Sequence, residues 1–282
     1  MMLAKACHQI EQGPLAAFTL SEKDFNELSV AAWLHDCGKV ATPEYVMDKA
    51  TKLETVFDRI ELINARLEIA SLNIAHNKQL TDSEKAVQLK TLAEERAFLI
   101  EANKGGEFFD DEKINRVHQI AGKYKVTIAG STQPVLNNDE VYNLITKRGT
   151  LNDKERKIIN GHMDATVYML ESLPFPKHLR NVPEYACGHH EKMDGTGYPK
   201  GLKRDEMSIP ARIMAIADVF EALTANDRPY KPPKTLTETL QIMDRMREND
   251  HLDPDLYDVF KETKVYMQFA QAFLDKSQID CD

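Results

Sequence analysis

The sequence predicts an all-α fold. Apolar residues recur at steps of three and four over most of the chain. Cap residues stand before several of these runs, at Ser21, Thr81, Asp110 and Asn152 or Asp153. No stretch alternates apolar and polar residues long enough to predict a strand.

The 21–38 segment reads as a helix opened by Ser21. Leu28, Ala31 or Ala32, and His35 follow at helical spacing, so His35 and Asp36 lie near its C-terminal end. Gly38 is a stop signal, and Lys39 is the next polar side chain. From Leu53 the apolar residues run Val56, Ile60, Ile63, Leu67, Ala70 and Ile74, a coiled-coil seam. Thr81–Glu84 then has capping-box spacing, and Ala86, Leu89, Ala93, Ala97 and Ile100 share one face of the next helix. Gly105-Gly106 ends it, so 50–104 reads as an antiparallel helical hairpin. Its seam has two open readings: a self-contained decoration, or a surface that packs on a second copy of the chain or on an upstream helix.

A helix is expected over 111–125, irregular chain over 126–138, and one helix over 153–172. In that helix His162 falls among Ile158, Ile159, Met163, Val167 and Leu170, so it points to the core or its rim. A helix of roughly 183–190 delivers His189-His190. Pro210 opens another, with Ile213, Ile216, Ala217, Phe220 and Leu223 apolar and Asp218 in their midst. An acid there costs energy unless paired or metal-bound. Helices at about 235–248 and 254–273 finish the chain.

The net charge of −9 argues against broad DNA or RNA binding, which needs a basic face. The four cysteines, at 7, 37, 187 and 281, form no CxxC pair, which fits reduced thiols in a cytoplasmic protein. No apolar run reaches membrane-span length. The helical start at Met1–Ala6 suggests that an upstream sensor or regulatory part precedes it in a longer parent protein.

The sequence is organised around His189–Pro199, where two histidines precede Glu191, Asp194 and a Gly-Tyr-Pro exit. Alone, such a pair is most simply an exposed polar loop. Its company of His35, Asp36, His162 and Asp218 argues for a metal site. Mixed imidazole and carboxylate donors suit Fe, Mn or Zn rather than Ca. Six donors exceed what one ion needs, and a carboxylate can bridge two. Ion pairs about 3.5–4 Å apart activate water and stabilise phosphoryl oxygens.

His35-Asp36-Cys37-Gly38-Lys39 resembles the HDxGK signature of the HD metal-dependent phosphohydrolases. His189-His190-Glu191 through Asp194-Gly195-Thr196-Gly197-Tyr198-Pro199 is similar to the HHExxDGxGYP signature of their HD-GYP subfamily. Ala217–Thr224 and Arg228-Pro229-Tyr230-Lys231 resemble its ADVFDALT…RPYK segment, with Glu221 in place of the usual Asp. The likeness covers roughly 21–49 and 145–262. It implies an HD-domain helical bundle and an enzyme that hydrolyses a bacterial cyclic dinucleotide, cyclic di-GMP or 3′,3′-cyclic GMP-AMP. Carried over by residue, it implies two divalent ions, Fe or Mn, bridged by Asp36. His35 and Asp218 would serve one ion, and His162, His189 and His190 the other. Lys39 would sit beside the bridging water and the scissile phosphate, and Arg228 and Lys231 would hold substrate phosphates. A degenerate module that binds the cyclic dinucleotide without cleaving it is the rival reading, and an HD site acting on another phosphate ester is a third.

Two departures from the family stand out. The K-P-G-x-L-T segment that normally follows the HD pair appears twice in blurred form, at Lys49–Leu53 and Lys147–Leu151. This predicts a catalytic domain of 1–49 and 147–282, interrupted by an inserted 50–146. Some family members hold a third ion on a Glu and a His one turn apart. Here the only earlier histidine is His8, and one turn before it stands Ala4. Two ions are therefore expected.

Overall fold

The computed structural model describes residues 1–106, 108–226 and 233–281. In chain order the first helices are α1 (Met2–His8), α2 (Glu22–Leu34), α3 (Glu44–Met47), α4 (Ile60–Ala75), α5 (Asp82–Asn103) and α6 (Asp111–Lys123). Strands β1 (Lys125–Ile128) and β2 (Ser131–Pro134) follow, then α7 (Asn138–Leu144), α8 (Asp153–Asn160), α9 (His162–Glu171) and α10 (Val182–Cys187). The chain closes with α11 (Ile209–Thr224), α12 (Leu236–Glu248), α13 (Pro254–Glu262) and α14 (Val265–Phe273). Among the described residues the fold is helical, as expected, apart from one small sheet. Contacts divide it into two compact units, Met1–Ala41 with Asn160–Asp282, and Thr42–Ile159.

In the first unit, α2 begins with the Ser21–Asp24 capping box. It ends at Leu34, short of the expected 38, and the chain continues as a 3-10 turn over Cys37–Ala41. Gly38 is no left-handed helix stop. A Cβ there would meet the His162 carbonyl oxygen at 2.0 Å and the Thr166 nitrogen at 2.5 Å, so its bareness lets the turn lie against α9. The expected 153–172 helix is two helices parted at Gly161, which makes His162 the first residue of α9. α10 stops at Cys187, so the His189-His190 pair follows the helix rather than riding on it. α11 is capped by Ser208 and carries Pro210 in its first turn, where no N–H is needed. The expected 254–273 helix is broken at Lys264, which adopts φ +50°. Leu28, Met163, Val182, Ile216, Phe220 and Tyr257 anchor one apolar core.

In the second unit the expected seam is shorter, because α4 starts only at Ile60. The Glu54 carboxylate accepts the Ala50 and Thr51 amides, and Asp58 accepts that of Ile60. These local bonds compete with the helix, and Val56 is left 95% exposed. The Thr81–Glu84 capping box opens α5 as expected, and α4 packs on α5. The buried face of α5, however, is Leu92, Leu99 and Ala102, not the predicted alanine face. The 126–138 segment is not irregular. It forms an antiparallel hairpin turning at Ala129-Gly130, both at positive φ, and then α7, opened by an Asn137–Glu140 capping box. Its strands are short and mostly exposed, so they left no alternating pattern to read. The two blurred family segments meet, with the Thr150 hydroxyl donating to the Lys49 carbonyl at 3.0 Å. Lys49, buried, pairs with Glu155 at 2.7 Å and donates to Asn143, and Lys52 donates to the Leu144 carbonyl at 2.9 Å.

Candidate metal centre

The first unit brings His35, Asp36, His162, His189, His190 and Asp218 together. Asp36, His162, His189 and His190 form one group, and His35, His189 and Asp218 a second. Within each group the candidate donor atoms lie within 4.8 Å of one another. Four separate elements supply them: the end of α2, the start of α9, the segment after α10, and the middle of α11.

Asp36 stands between the groups. Its Oδ1 lies 3.3 Å from His162 Nε2 and 3.9 Å from His189 Nε2. Its Oδ2 lies 3.3 Å from His35 Nε2 and is paired with Lys39. His35 Nε2 is 3.6 Å from Asp218 Oδ1. Asp36 Oδ1 and His189 Nε2 are buried with no hydrogen-bond partner among the described residues. Buried polar atoms left this way are costly, and here they converge on one point. The donor set fits a divalent cation of the first transition row.

Charge is divided within the cluster. Burial pulls the His35 imidazole down, but Asp218 and then Asp36 outweigh it and hold it at about 10. Burial raises the Asp36 carboxyl, yet His162, His35 and Lys39 keep it well below the usual carboxylate range. Burial lowers His189, and burial followed by His189 lowers His190 to about 3. Burial thus favours the neutral imidazole at both, the form that ligates metal.

Arg228 and Lys231 lie outside the described residues. His8 accepts the Leu20 amide at 3.1 Å, packs edge-on against Phe25 and belongs to neither donor group. Sequence reasoning missed Thr166, which accepts the Gly38 amide, and it placed Glu191 and Tyr198 in the central motif without reading that Glu191 binds the loop and that Tyr198 stacks on His190. Only the Gly-rich spacing after His190 hinted at a loop folded close on itself.

Residues 137–256 match the HD domain family model. The matched stretch carries His162, His189, His190 and Asp218, and His35 and Asp36 lie outside it. The chain is 38% identical over 130 residues to the 3′3′-cGAMP-specific phosphodiesterase 1 of Vibrio cholerae, covering 46% of this chain and 29% of that protein. It is 45% identical over 94 residues to a probable cyclic di-GMP phosphodiesterase of the same species, covering 33% and 21%. It is 38% identical over 114 residues to the cyclic di-GMP phosphodiesterase of Thermotoga maritima, covering 40% and 29%. The chain spans under a third of the length of these curated relatives. Among the described residues no helix is long and apolar enough to cross a membrane.

Proposed function

We propose that the chain is a metal-dependent phosphodiesterase that opens a cyclic dinucleotide, cyclic di-GMP or 3′,3′-cyclic GMP-AMP, to the linear dinucleotide or mononucleotides. The observation that carries this reading is the pair of overlapping donor groups with Asp36 between them. The names of the relatives support the substrate class.

In this reading Asp36 would be shared by two ions. His162, His189 and His190 would complete one ion's protein ligands, and His35 with Asp218 the other's. The native metal is iron or manganese, which the imidazole-rich, thiolate-free donor set supports. When bound, two such ions supply Lewis acidity and an activated water. The Lys39 ammonium, paired with Asp36, neutralises charge that develops on the phosphoryl oxygens. Asp36 in turn keeps that ammonium at the cluster. Arg228 and Lys231 hold substrate phosphates as cations. Residues 1–49 and 147–282 form the catalytic part, 50–146 is an insertion, and the protein works in the cytoplasm.

The test is incubation of the Mn- or Fe-loaded chain with a small panel of cyclic dinucleotides, with separation of the products. Linear dinucleotide or mononucleotides are expected. Tight binding without turnover supports a binding module instead.

A further inference from the structure

His35 and His189 are each held by a backbone carbonyl. His35 Nδ1 bonds the Ala32 oxygen at 2.7 Å and His189 Nδ1 the Ala186 oxygen at 2.6 Å. Such a bond fixes which ring nitrogen faces the cluster. His190 is held differently. Among the described residues no hydrogen bond reaches its ring nitrogens. Its ring instead lies face to face with Tyr198, with centroids 4.8 Å apart and planes 23° apart.

Tyr198 belongs to a loop that folds back over 190–192. Its N–H donates to the His190 carbonyl at 3.2 Å. At Gly197 a Cβ would meet Glu191 Cα and the Lys192 nitrogen at 2.5 Å, so only glycine permits the approach. The Glu191 carboxylate closes the loop. It is 1% exposed and accepts three backbone N–H groups: Lys200 at 2.7 Å and Gly201 at 3.1 Å on Oε1, and Leu202 at 2.9 Å on Oε2. Charge-assisted bonds of this kind are strong, and a buried carboxylate with this many donors holds its loop rigidly. Glu191 belongs to neither donor group.

We propose that Glu191 is a positioning residue for His190. Its carboxylate pins residues 200–202, the pinned loop holds Tyr198 flat against the His190 ring, and the ring is thereby aimed at Asp36, His162 and His189. The proposal rests on the two-ion reading above. His190 falls in the Asp36 group and not in the His35–His189–Asp218 group. Loosening the loop therefore acts on one ion and spares the other, which a general folding defect does not do.

The experiment is a Mn²⁺ titration of the metal-stripped full chain, followed by calorimetry and electron paramagnetic resonance, with thermal melts alongside. Glu191→Gln puts an NH₂ group against amide donors. Tyr198→Leu removes the ring face and leaves Glu191 intact. In both variants one Mn²⁺ should bind about tenfold more weakly or worse, while the other stays within about threefold of wild type. Tyr198→Phe should recover most of what Tyr198→Leu loses. If Glu191→Gln does not fold, Tyr198→Leu decides alone. Two ions bound as in wild type, or an equal loss of both ions, overturns the proposal. A wild-type chain that takes up fewer than two ions overturns the two-ion reading itself, and the proposal with it.

Discussion

The Gly38 amide donates to the Thr166 hydroxyl at 3.0 Å, joining the turn after Asp36 to the helix that begins with His162. Thr166 is fully buried. This bond and the bare Gly38 Cα hold Asp36 against His162, so the site's geometry depends on a contact between positions far apart in sequence.

Gly38→Ala should therefore cost at least about 3 kcal/mol, since its methyl meets backbone rather than a flexible side chain. Thr166→Val should cost about 1–3 kcal/mol by stranding a buried N–H. Urea unfolding of the two variants measures both. Wild-type midpoints would refute the link.

Asp36→Ala removes the carboxylate that faces both donor groups. Two cations would then face each other uncompensated. We expect loss of bound metal and of turnover with the helical circular dichroism retained. Metal analysis of the wild type should give two ions per chain, and substantial activity in Asp36→Ala contradicts the bridging role.

Lys49 and Glu155 form a buried ion pair in the second unit. Glu155→Ala should cost about 3–5 kcal/mol, because it leaves a buried ammonium unpaired. Replacing both, as Lys49→Met with Glu155→Leu, should recover much of that loss. Denaturant unfolding of the single and double variants checks the order.

Cys7 is fully buried, and burial, followed by the Asp253 carboxylate, pushes its thiol up to about 12 from an ordinary 9.0. Its folded pKa lies above its unfolded one. The stability it contributes is complete below pH 9.0 and drains away as pH climbs towards 12. Iodoacetamide at pH 9 should leave Cys7 unmodified in the folded chain, as peptide mass mapping would report. Stability should also fall less steeply above pH 9 in Cys7→Ala than in wild type.

The residues of the metal cluster were legible because their types are out of place. Asp218 sits on an apolar helix face, His162 interrupts another, and His189-His190 is a tandem pair. Helix starts were legible where a side chain caps them, as at Ser21 and Thr81. Breaks inside long apolar runs were not, because Gly161 and Lys264 leave the periodicity on either side intact. The phase of α5 was misread because its alanines fit an apolar face without having to be buried. Val56 was misread because Glu54 and Asp58 compete for the backbone, and sequence spacing does not record that competition. Thr166 read as an ordinary polar residue, and Glu191 read as part of the central motif but not as its loop anchor, since burial and amide partners appear only once the loop and turn are folded.

The most direct test of the central claim is turnover by the chain itself. Purified protein loaded with Mn²⁺ or Fe²⁺ is incubated with cyclic di-GMP and with 3′,3′-cyclic GMP-AMP, and the products are separated by chromatography and weighed by mass spectrometry. The account predicts metal-dependent conversion of at least one of them to the linear dinucleotide or mononucleotides, abolished by Asp36→Ala. Recovery of both cyclic dinucleotides intact from a chain shown to hold two ions would contradict it.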